Sequence, residues 1–323
     1  MRAAAALACG LLLAVAGCSG GTGPGVPGSS DGAPPSTPNA STGSPPSLNP
    51  SLNPSLNPSL NPSLNPSVNP SLGISPSPGS AASQGRSAPA PARWQPTPGT
   101  SWQWQLTTPV DTGVDAAVYD IDGFQNSAAV VAALHAKGRK VICYVNAGAF
   151  EDFRPDSSTY PVALLGASNG WPGERWLDIR RLDLLRPLLS RRFDLCRDKG
   201  FDAVEPDNVD GYRNDSGFPL TAADQLAFNR MLADLAHARG LSAGLKNDVD
   251  QVPQLVGTFD FAVNEQCAEF QECAASVPFV AAGKPVFEAE YNLPTSAFCG
   301  PARRMRFSAL LKHLALDAWR ESC

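Results

Sequence analysis

The sequence predicts an α/β protein: a (β/α)8 barrel of the TIM type, preceded by a Pro/Ser-rich linker without fixed structure. Three observations lead there. Eight short apolar segments alternate, for the most part, with amphipathic helical stretches. Three of those helices end alike, in a basic residue and then a glycine before the next apolar run. Carboxylates recur where nearly every apolar run ends, and in a barrel those ends meet on one rim. An open doubly wound sheet is the alternative, but no Gly-rich phosphate loop follows any strand candidate.

Residues 1–18 have a secretory pattern, Arg2 followed by an apolar run to Ala16 that is short for a membrane span. The run ends Val15-Ala16-Gly17-Cys18, which resembles the lipobox of bacterial lipoproteins. That resemblance implies a lipid on Cys18, export and anchoring at the bacterial cell surface. Ordinary cleavage, with Cys18 incidental, is the plainer reading. Residues 19–93 are Gly, Ser, Pro, Ala and Asn, with Ser-Leu-Asn-Pro repeated from Ser47 to Pro70. Such a segment buries too little to offset chain entropy and is expected to be an extended tether.

Residues 94–323 are the globular part. The net charge of the chain is −5, and Arg2, Arg86, Arg93 and Asp31 are all the charges before Trp94. The remainder therefore holds 22 basic and 29 acidic residues, a surplus that argues against a nucleic-acid partner and suits a cationic one.

Strands are expected at 102–106, 115–121, 140–145, 175–179, 201–205, 241–246, 259–263 and 285–290. Helices are expected at 127–137, 186–199 and 222–239, the last opening with Thr221 and Asp224 at capping-box spacing. The terminators are Ala136-Lys137-Gly138, Asp198-Lys199-Gly200 and Ala238-Arg239-Gly240, with a looser case at Gly283-Lys284. The link from Leu106 to Asp115 is short for a crossover helix.

Eight cysteines divide by place. Cys9 lies in the signal and Cys18 is the anchor candidate. Cys143 lies in an apolar strand and reads as a small core residue. Cys267 and Cys273 are close enough to bridge in an exported chain, and Cys299 with Cys323 is the simplest further pair. His135, His237 and His313 all fall in helical patterns, and no cysteine pair has zinc-ligand spacing, so neither a metal nor a cofactor is expected.

The chemistry concentrates at Val204-Glu205-Pro206-Asp207-Asn208-Val209-Asp210-Gly211-Tyr212. Pro206 keeps Glu205 extended, and period-2 alternation places Ala203, Glu205 and Asp207 on one face. Two acids on one face of a buried strand are costly as scaffolding alone. Around them, at the other strand ends, stand Asp120, Asp122, Asp178, Lys246, Asn247, Asp248, Glu265 and Glu290, accompanied by Tyr144, Tyr212 and Tyr291. Aromatic faces beside carboxylates suit a sugar ring.

Seven segments resemble glycoside hydrolase family 114, in the family's order. They are Trp102-Gln103-Trp104-Gln105-Leu106, Tyr119-Asp120-Ile121-Asp122, Val141-Ile142-Cys143-Tyr144 and Trp176-Leu177-Asp178-Ile179-Arg180 in the first half. Glu205-Pro206-Asp207-Asn208-Val209-Asp210-Gly211-Tyr212, Gly244-Leu245-Lys246-Asn247-Asp248 and Val263-Asn264-Glu265-Gln266-Cys267 follow. The resemblance runs from about Trp102 to Tyr291 and leaves out the signal, the tether and the segment after about Phe298. It implies a (β/α)8 barrel and endo-acting cleavage of α-1,4-linked galactosamine polymers, with Asp207 and Glu265 as the catalytic pair. Asp120, Asp122, Tyr144, Asp178, Asn208, Tyr212, Lys246, Asn247, Glu290 and Tyr291 are then the expected substrate-binding set, acting in a monomer on a cationic or partly deacetylated polysaccharide.

Retention is the expected outcome, with Asp207 as nucleophile kept ionised by Asn208 and Lys246. Glu265, beside Ala262, Val263 and the cysteines, is expected in a less polar setting, as an acid requires. Two other classes stay open: a surface lectin that holds polysaccharide without cutting it, and a calcium-dependent module on Asp120, Asp122, Asp207 and Asp210. The acidic segments lack the twelve-residue EF-hand spacing.

Overall fold

A computed structural model describes residues 93–323. The expected signal, the Cys18 anchor and all but the last residue of the linker lie outside the described residues. Twelve strands are present among the described residues. β1 is Trp102–Gln105, β2 Val118–Asp122, β3 Lys140–Asn146, β4 Ala149–Glu151, β5 Leu165–Ser168 and β6 Glu174–Leu177. β7 is Ala203–Asp207, β8 Ser242–Lys246, β9 Phe261–Glu265, β10 Val286–Glu290, β11 Ser308–Lys312 and β12 Arg320–Ser322. The helices are α1 Ala128–His135, α2 Leu182–Lys199, α3 Ala222–His237, α4 Val252–Leu255, α5 Val277–Ala281 and α6 Thr295–Met305.

Eight strands pair in parallel in the order β1-β2-β3-β7-β8-β9-β10-β11, and β12 adds antiparallel to β11. The seam back to β1 is stitched by single bonds: the Trp102 indole donates to Ser308 O, Leu106 N to Leu316 O and the Gln103 amide to Ala318 O. This is the expected (β/α)8-type barrel, with one exchange of strands. The segment expected at 175–179 forms β6, which belongs to a separate three-stranded antiparallel sheet, β4-β6-β5, above the barrel. The eighth barrel strand is β11, beyond the segment that carried the family pattern. Its apolar residues, Ala309, Leu310 and Leu311, together with Leu314 just beyond it, fit a helical period as well as a strand, which is why His313 read as helical; it follows β11 in a turn.

The terminators behave as their chemistry requires. Gly138, Gly200, Gly240 and Gly283 all have positive φ (73°, 89°, 75° and 75°), where a side chain is strained. At the other end of α3, Thr221 and Asp224 form the reciprocal capping box. The short link between β1 and β2 holds no helix, yet the two strands pair in parallel.

Alternation along each strand divides two cores. Trp102, Trp104, Ile142, Ala203, Phe261 and Phe287 fill the barrel interior, while Tyr119, Ile121, Val204 and Phe193 pack between strands and helices. Gly244 is needed inside, because a Cβ there would come within 2.4 Å of the Phe261 ring.

Cys267–Cys273 and Cys299–Cys323 are bridged as expected. Cys143 is not a lone core thiol: it bridges to Cys196 and ties β3 to α2. It is fully buried, which misled a reading based on its apolar neighbours. No helix among the described residues is long and apolar enough to cross a membrane.

Candidate active site

Three consecutive strands build the centre by one device. β7, β8 and β9 end in Asp207, Lys246 and Glu265, and each is followed by a left-handed residue: Asn208 (φ 61°), Asn247 (φ 52°) and Gln266 (φ 56°). Asparagine is among the side chains that tolerate this region best. The reversal turns the backbone away while the last inward-facing side chain stays on the rim. Asp207 is held further by its own carbonyl, which accepts from Ala147 N and Gly148 N at 3.0 Å each. Gly148 passes so close that a Cβ would lie 1.7 Å from Asn208 O.

Lys246 joins the two acids. Its Nζ is 2.9 Å from Asp207 Oδ1 and 2.8 Å from Glu265 Oε2, over the Trp104 ring at 5.0 Å from its centroid. The Tyr144 hydroxyl donates to Asp207 Oδ2 at 2.8 Å, and Asn208 N to Oδ1 at 2.8 Å. The Asn247 amide donates to Glu265 Oε2 at 3.0 Å while its oxygen accepts from Glu265 N at 2.8 Å. Tyr291 donates to Glu265 Oε1. Glu265 is therefore as strongly held by donors as Asp207, and the less polar setting expected for it is not what the fold provides.

Burial pushes the Asp207 carboxyl up, but Lys246, Tyr144 and Asn208 N outweigh it and hold the group below the usual carboxylate range. Burial pushes Lys246 down, and Asp207, Glu265 and Glu205 together raise it well above an ordinary lysine. One layer deeper, Glu205 Oε1 is 3.8 Å from Lys246 Nζ. Glu205 and Asp120 are both fully buried, close enough for each to shift the other. Burial and the nearby Asp120 charge raise Glu205 well above its ordinary value, and burial raises Asp120 to about 7.

Tyr144, Asn208, Lys246, Asn247 and Tyr291 thus meet around the pair, with Asp120 beneath. Tyr212 stands at the side, where Asp248, Arg213 and Asp210 are its charged neighbours. Asp122, Asp178 and Glu290 are not brought to the centre. Asp122 is buried against Arg154, Asp178 accepts from Nε and Nη2 of Arg180, and Glu290 accepts from Ala268 N and faces Glu288 on the outer side of β10. With Asp120, Asp122 and Asp207 committed to separate partners, the carboxylates offered for a calcium module do not converge.

Two groups were missed by sequence reasoning. Asn146, at the end of β3, donates to Glu174 Oε2 at 3.1 Å and accepts from the Asn208 amide at 3.1 Å. Glu174, from β6, reaches the site only because the small sheet folds over the rim. The strand-end rule would have found Asn146, one residue past the expected end of its strand; nothing local marks Glu174. On the other side, Asp210, Arg213, Asn214, Asn247, Glu265 and Phe270 line an open pocket. Burial raises Asp210 to about 6 and Asp248 to about 7. Arg213 at the edge of this pocket is paired with Asp250.

The only described cluster with metal-ligand spacing, Cys267, Cys273 and Glu288, has both sulfurs in a disulfide. What remains is a rim with two opposed carboxylates and one shared cation, an arrangement suited to acid–base or nucleophilic work at a single bond.

Residues 83–323 match the model of glycoside-hydrolase family GH114. Among solved structures, the chain is similar to Aspergillus fumigatus Ega3 in complex with galactosamine: 43% identity, TM-score 0.69, covering 72% of this chain and 99% of that one. The glycoside hydrolase domain of PelA from Pseudomonas aeruginosa shares the fold at 16% identity and TM-score 0.54, over 69% of this chain and 97% of that domain. An uncharacterised protein of Deinococcus radiodurans is 27% identical over 220 residues, 61% of this chain and 70% of that one.

Proposed function

The chain belongs to glycoside hydrolase family GH114, and from that premise we propose that it is an endo-acting, retaining hydrolase of α-1,4-linked galactosamine polymers. The observation that carries the mechanism is the single Lys246 Nζ within 3 Å of both Asp207 and Glu265. Two oxygens that share a partner at 2.9 and 2.8 Å can be no further apart than those distances end to end. That bound holds for the two oxygens that face Lys246, and it admits the retaining separation of about 5–5.5 Å between carboxyl groups.

In this mechanism Asp207, kept ionised by Lys246 and Tyr144, attacks the anomeric carbon. Glu265 gives its proton to the departing glycosidic oxygen, leaving a glycosyl ester on Asp207. Glu265, now a carboxylate, takes a proton from the water that attacks the same carbon and frees Asp207. The protonated form of Glu265 keeps Tyr291 as a partner, because a hydroxyl accepts as readily as it donates. The substrate assignment rests on the 43% identity to a protein solved with galactosamine and on a rim where carboxylates outnumber cations. A partly deacetylated polymer is a polycation and suits such a rim.

The same proposal includes export, a lipid at Cys18, residues 19–93 as the tether to the bacterial surface, and action as a monomer; the Val15-Ala16-Gly17-Cys18 pattern and the repeats support the anchored part. Fatty-acid labelling of the wild type and not of Cys18→Ser is the expected result, and equal labelling of both refutes the anchor. For the chemistry, defined galactosamine oligomers are incubated with the protein, with products read by mass spectrometry and their first-formed anomer by NMR. Internal cleavage with an α-anomer first supports the reading. A β-anomer overturns retention, and binding without any cleavage leaves a lectin.

A further inference from the structure

We propose that Asp120 and Glu205, buried beneath the reacting pair, share one proton and act as positioning residues. The single negative charge they keep offsets Lys246 from below and lets Glu265 hold the proton it must give. The inference rests on the hydrolase reading above, in which Asp207 and Glu265 react.

Its first support is place. Inward-facing positions of a barrel are ordinarily filled by apolar side chains. In the sheet register Asp120 stands between Trp104 of β1 and Ile142 of β3, and Ala203 of β7 follows in the same row; those three belong to the interior core. Glu205, two residues beyond Ala203, points the same way and is level with Tyr144. Two carboxyls thus interrupt the interior below the rim. Neither is exposed, and among the described residues no donor of another residue reaches any of their four side-chain oxygens within hydrogen-bond distance.

The second support is charge. Among the described residues Lys246 is the one cation that both acids feel, and Glu205 Oε1 lies 3.8 Å from its Nζ. The other titratable neighbours are Asp207 on β7, Tyr144 on β3 and Tyr291 after β10, none of them basic. One ammonium cannot offset two desolvated carboxylates as well as Asp207, so one of the pair keeps a proton. Burial raises Asp120 to about 7 and holds Glu205 well above its ordinary value. The pair therefore gains one charge, and one only, as pH rises through neutrality.

Glu265 is the group that benefits. Lys246 at 2.8 Å, the Asn247 amide and Tyr291 all favour its carboxylate form, whereas a general acid must keep its proton until the glycosidic oxygen departs. A negative charge beneath Lys246 cancels part of the ammonium's field at Glu265. It appears at the alkaline end of the range, where Glu265 is closest to losing its proton. At the acid end the pair is neutral, and Lys246 acts undiminished on Asp207, which there is closest to gaining one.

An amide is a neutral stand-in for a protonated acid of the same shape, which makes the test one of non-additivity. In Asp120→Asn or Glu205→Gln the remaining acid carries the one charge, so the alkaline limb of the kcat/KM profile should stay near its wild-type position. In the double variant no charge is left, and that limb should move to lower pH by roughly one unit while the acid limb stays. All profiles use one galactosamine oligomer, so that titration of the substrate cancels. Loss of rate with both limbs in place, or single variants that shift as far as the double, overturns the inference and leaves the hydrolase reading standing. A second measurement needs neither activity nor the double variant. Infrared difference spectra above neutrality should show a protonated-carboxyl band in the wild type that is missing from both single variants. Its persistence in Asp120→Asn makes Glu205 a neutral core residue and overturns the shared charge. A wild type that cuts no galactosamine oligomer sinks the hydrolase reading and this inference together.

Discussion

Strands β7 and β9 each carry an acid at both ends, and the two ends are treated in opposite ways. At the lower ends, Asp202 pairs with His135 and Lys140 and accepts from Val141 N, and Asp260 pairs with His237 and Arg93 and accepts from Ala243 N. Each lower acid thus has two basic partners and a backbone donor. At the upper ends, Asp207 and Glu265 divide one lysine, and Glu174, Asp210 and Asp248 stand around them with no cation of their own. The same residue types on the same strands thus close one face of the barrel and leave the other short of positive charge. A shortfall of cations costs stability and is what a rim keeps when a charged ligand is to supply the remainder.

The sharpest way to break this contrast is to neutralise acids at the two ends. Asp207→Asn and Glu265→Gln should each lower kcat by roughly a thousandfold or more, with melting temperature little changed. Asp202→Asn should leave kcat within about twofold and cost about 1–3 kcal/mol of stability in denaturant melts, since a half-buried acid loses its ion pair with Lys140 and a partner in His135. Activity lost equally from both ends would mean that the upper acids act through folding alone.

A second effect, about a hundredfold in kcat/KM, is expected for Lys246→Met. Lys246 holds Asp207 below its ordinary value, so removing it raises that value and moves the acid limb of the pH–rate profile to higher pH. The sign in stability follows from the same shift. A carboxyl depressed by folding contributes stability above its unfolded value and loses it as pH falls through the folded one, so the variant should lose less stability on acidification than the wild type. An acid limb that stays in place in Lys246→Met would refute the coupling.

A smaller effect should follow from Gly148→Ala, which touches neither acid. The new Cβ collides with Asn208 O and displaces the loop that grips Asp207 O, so activity should fall about tenfold with a loss of about 1–3 kcal/mol. Unchanged kinetics would show that this loop does not position the nucleophile.

The disulfides sharpen the comparison least in activity. Cys267–Cys273 closes six residues beside Glu265 and Cys143–Cys196 closes 53 through the core. Removing the short bridge by Cys267→Ser with Cys273→Ser should cost toward the low end of ~2–4 kcal/mol and a few-fold in kcat, and removing the long one more stability and less rate. Equal melting losses from the two double variants would contradict this order.

The amino-acid sequence by itself determined what local rules can state. Period-2 alternation placed Ala203, Glu205 and Asp207 on one face, the glycines after basic residues marked three helix ends, and Thr221 with Asp224 marked a start. Seven of the eight barrel strand positions needed nothing more than a short apolar run after a turn, and Asp207, Lys246 and Glu265 were legible because each closes such a run. Only the tertiary structure decided which charges meet. Arg154 takes Asp122 and Arg180 takes Asp178, while Glu290 turns outward to Ala268 N, so three expected rim acids are spent elsewhere. Glu174 arrives from a sheet that is not part of the barrel, and Cys143 finds Cys196 across 53 residues. Alternation and caps are set within a few residues by backbone sterics and hydrogen bonding, and can be read in order along the chain. A salt bridge or disulfide forms with whatever group the fold carries to within a few ångströms, and no period in the sequence records that distance.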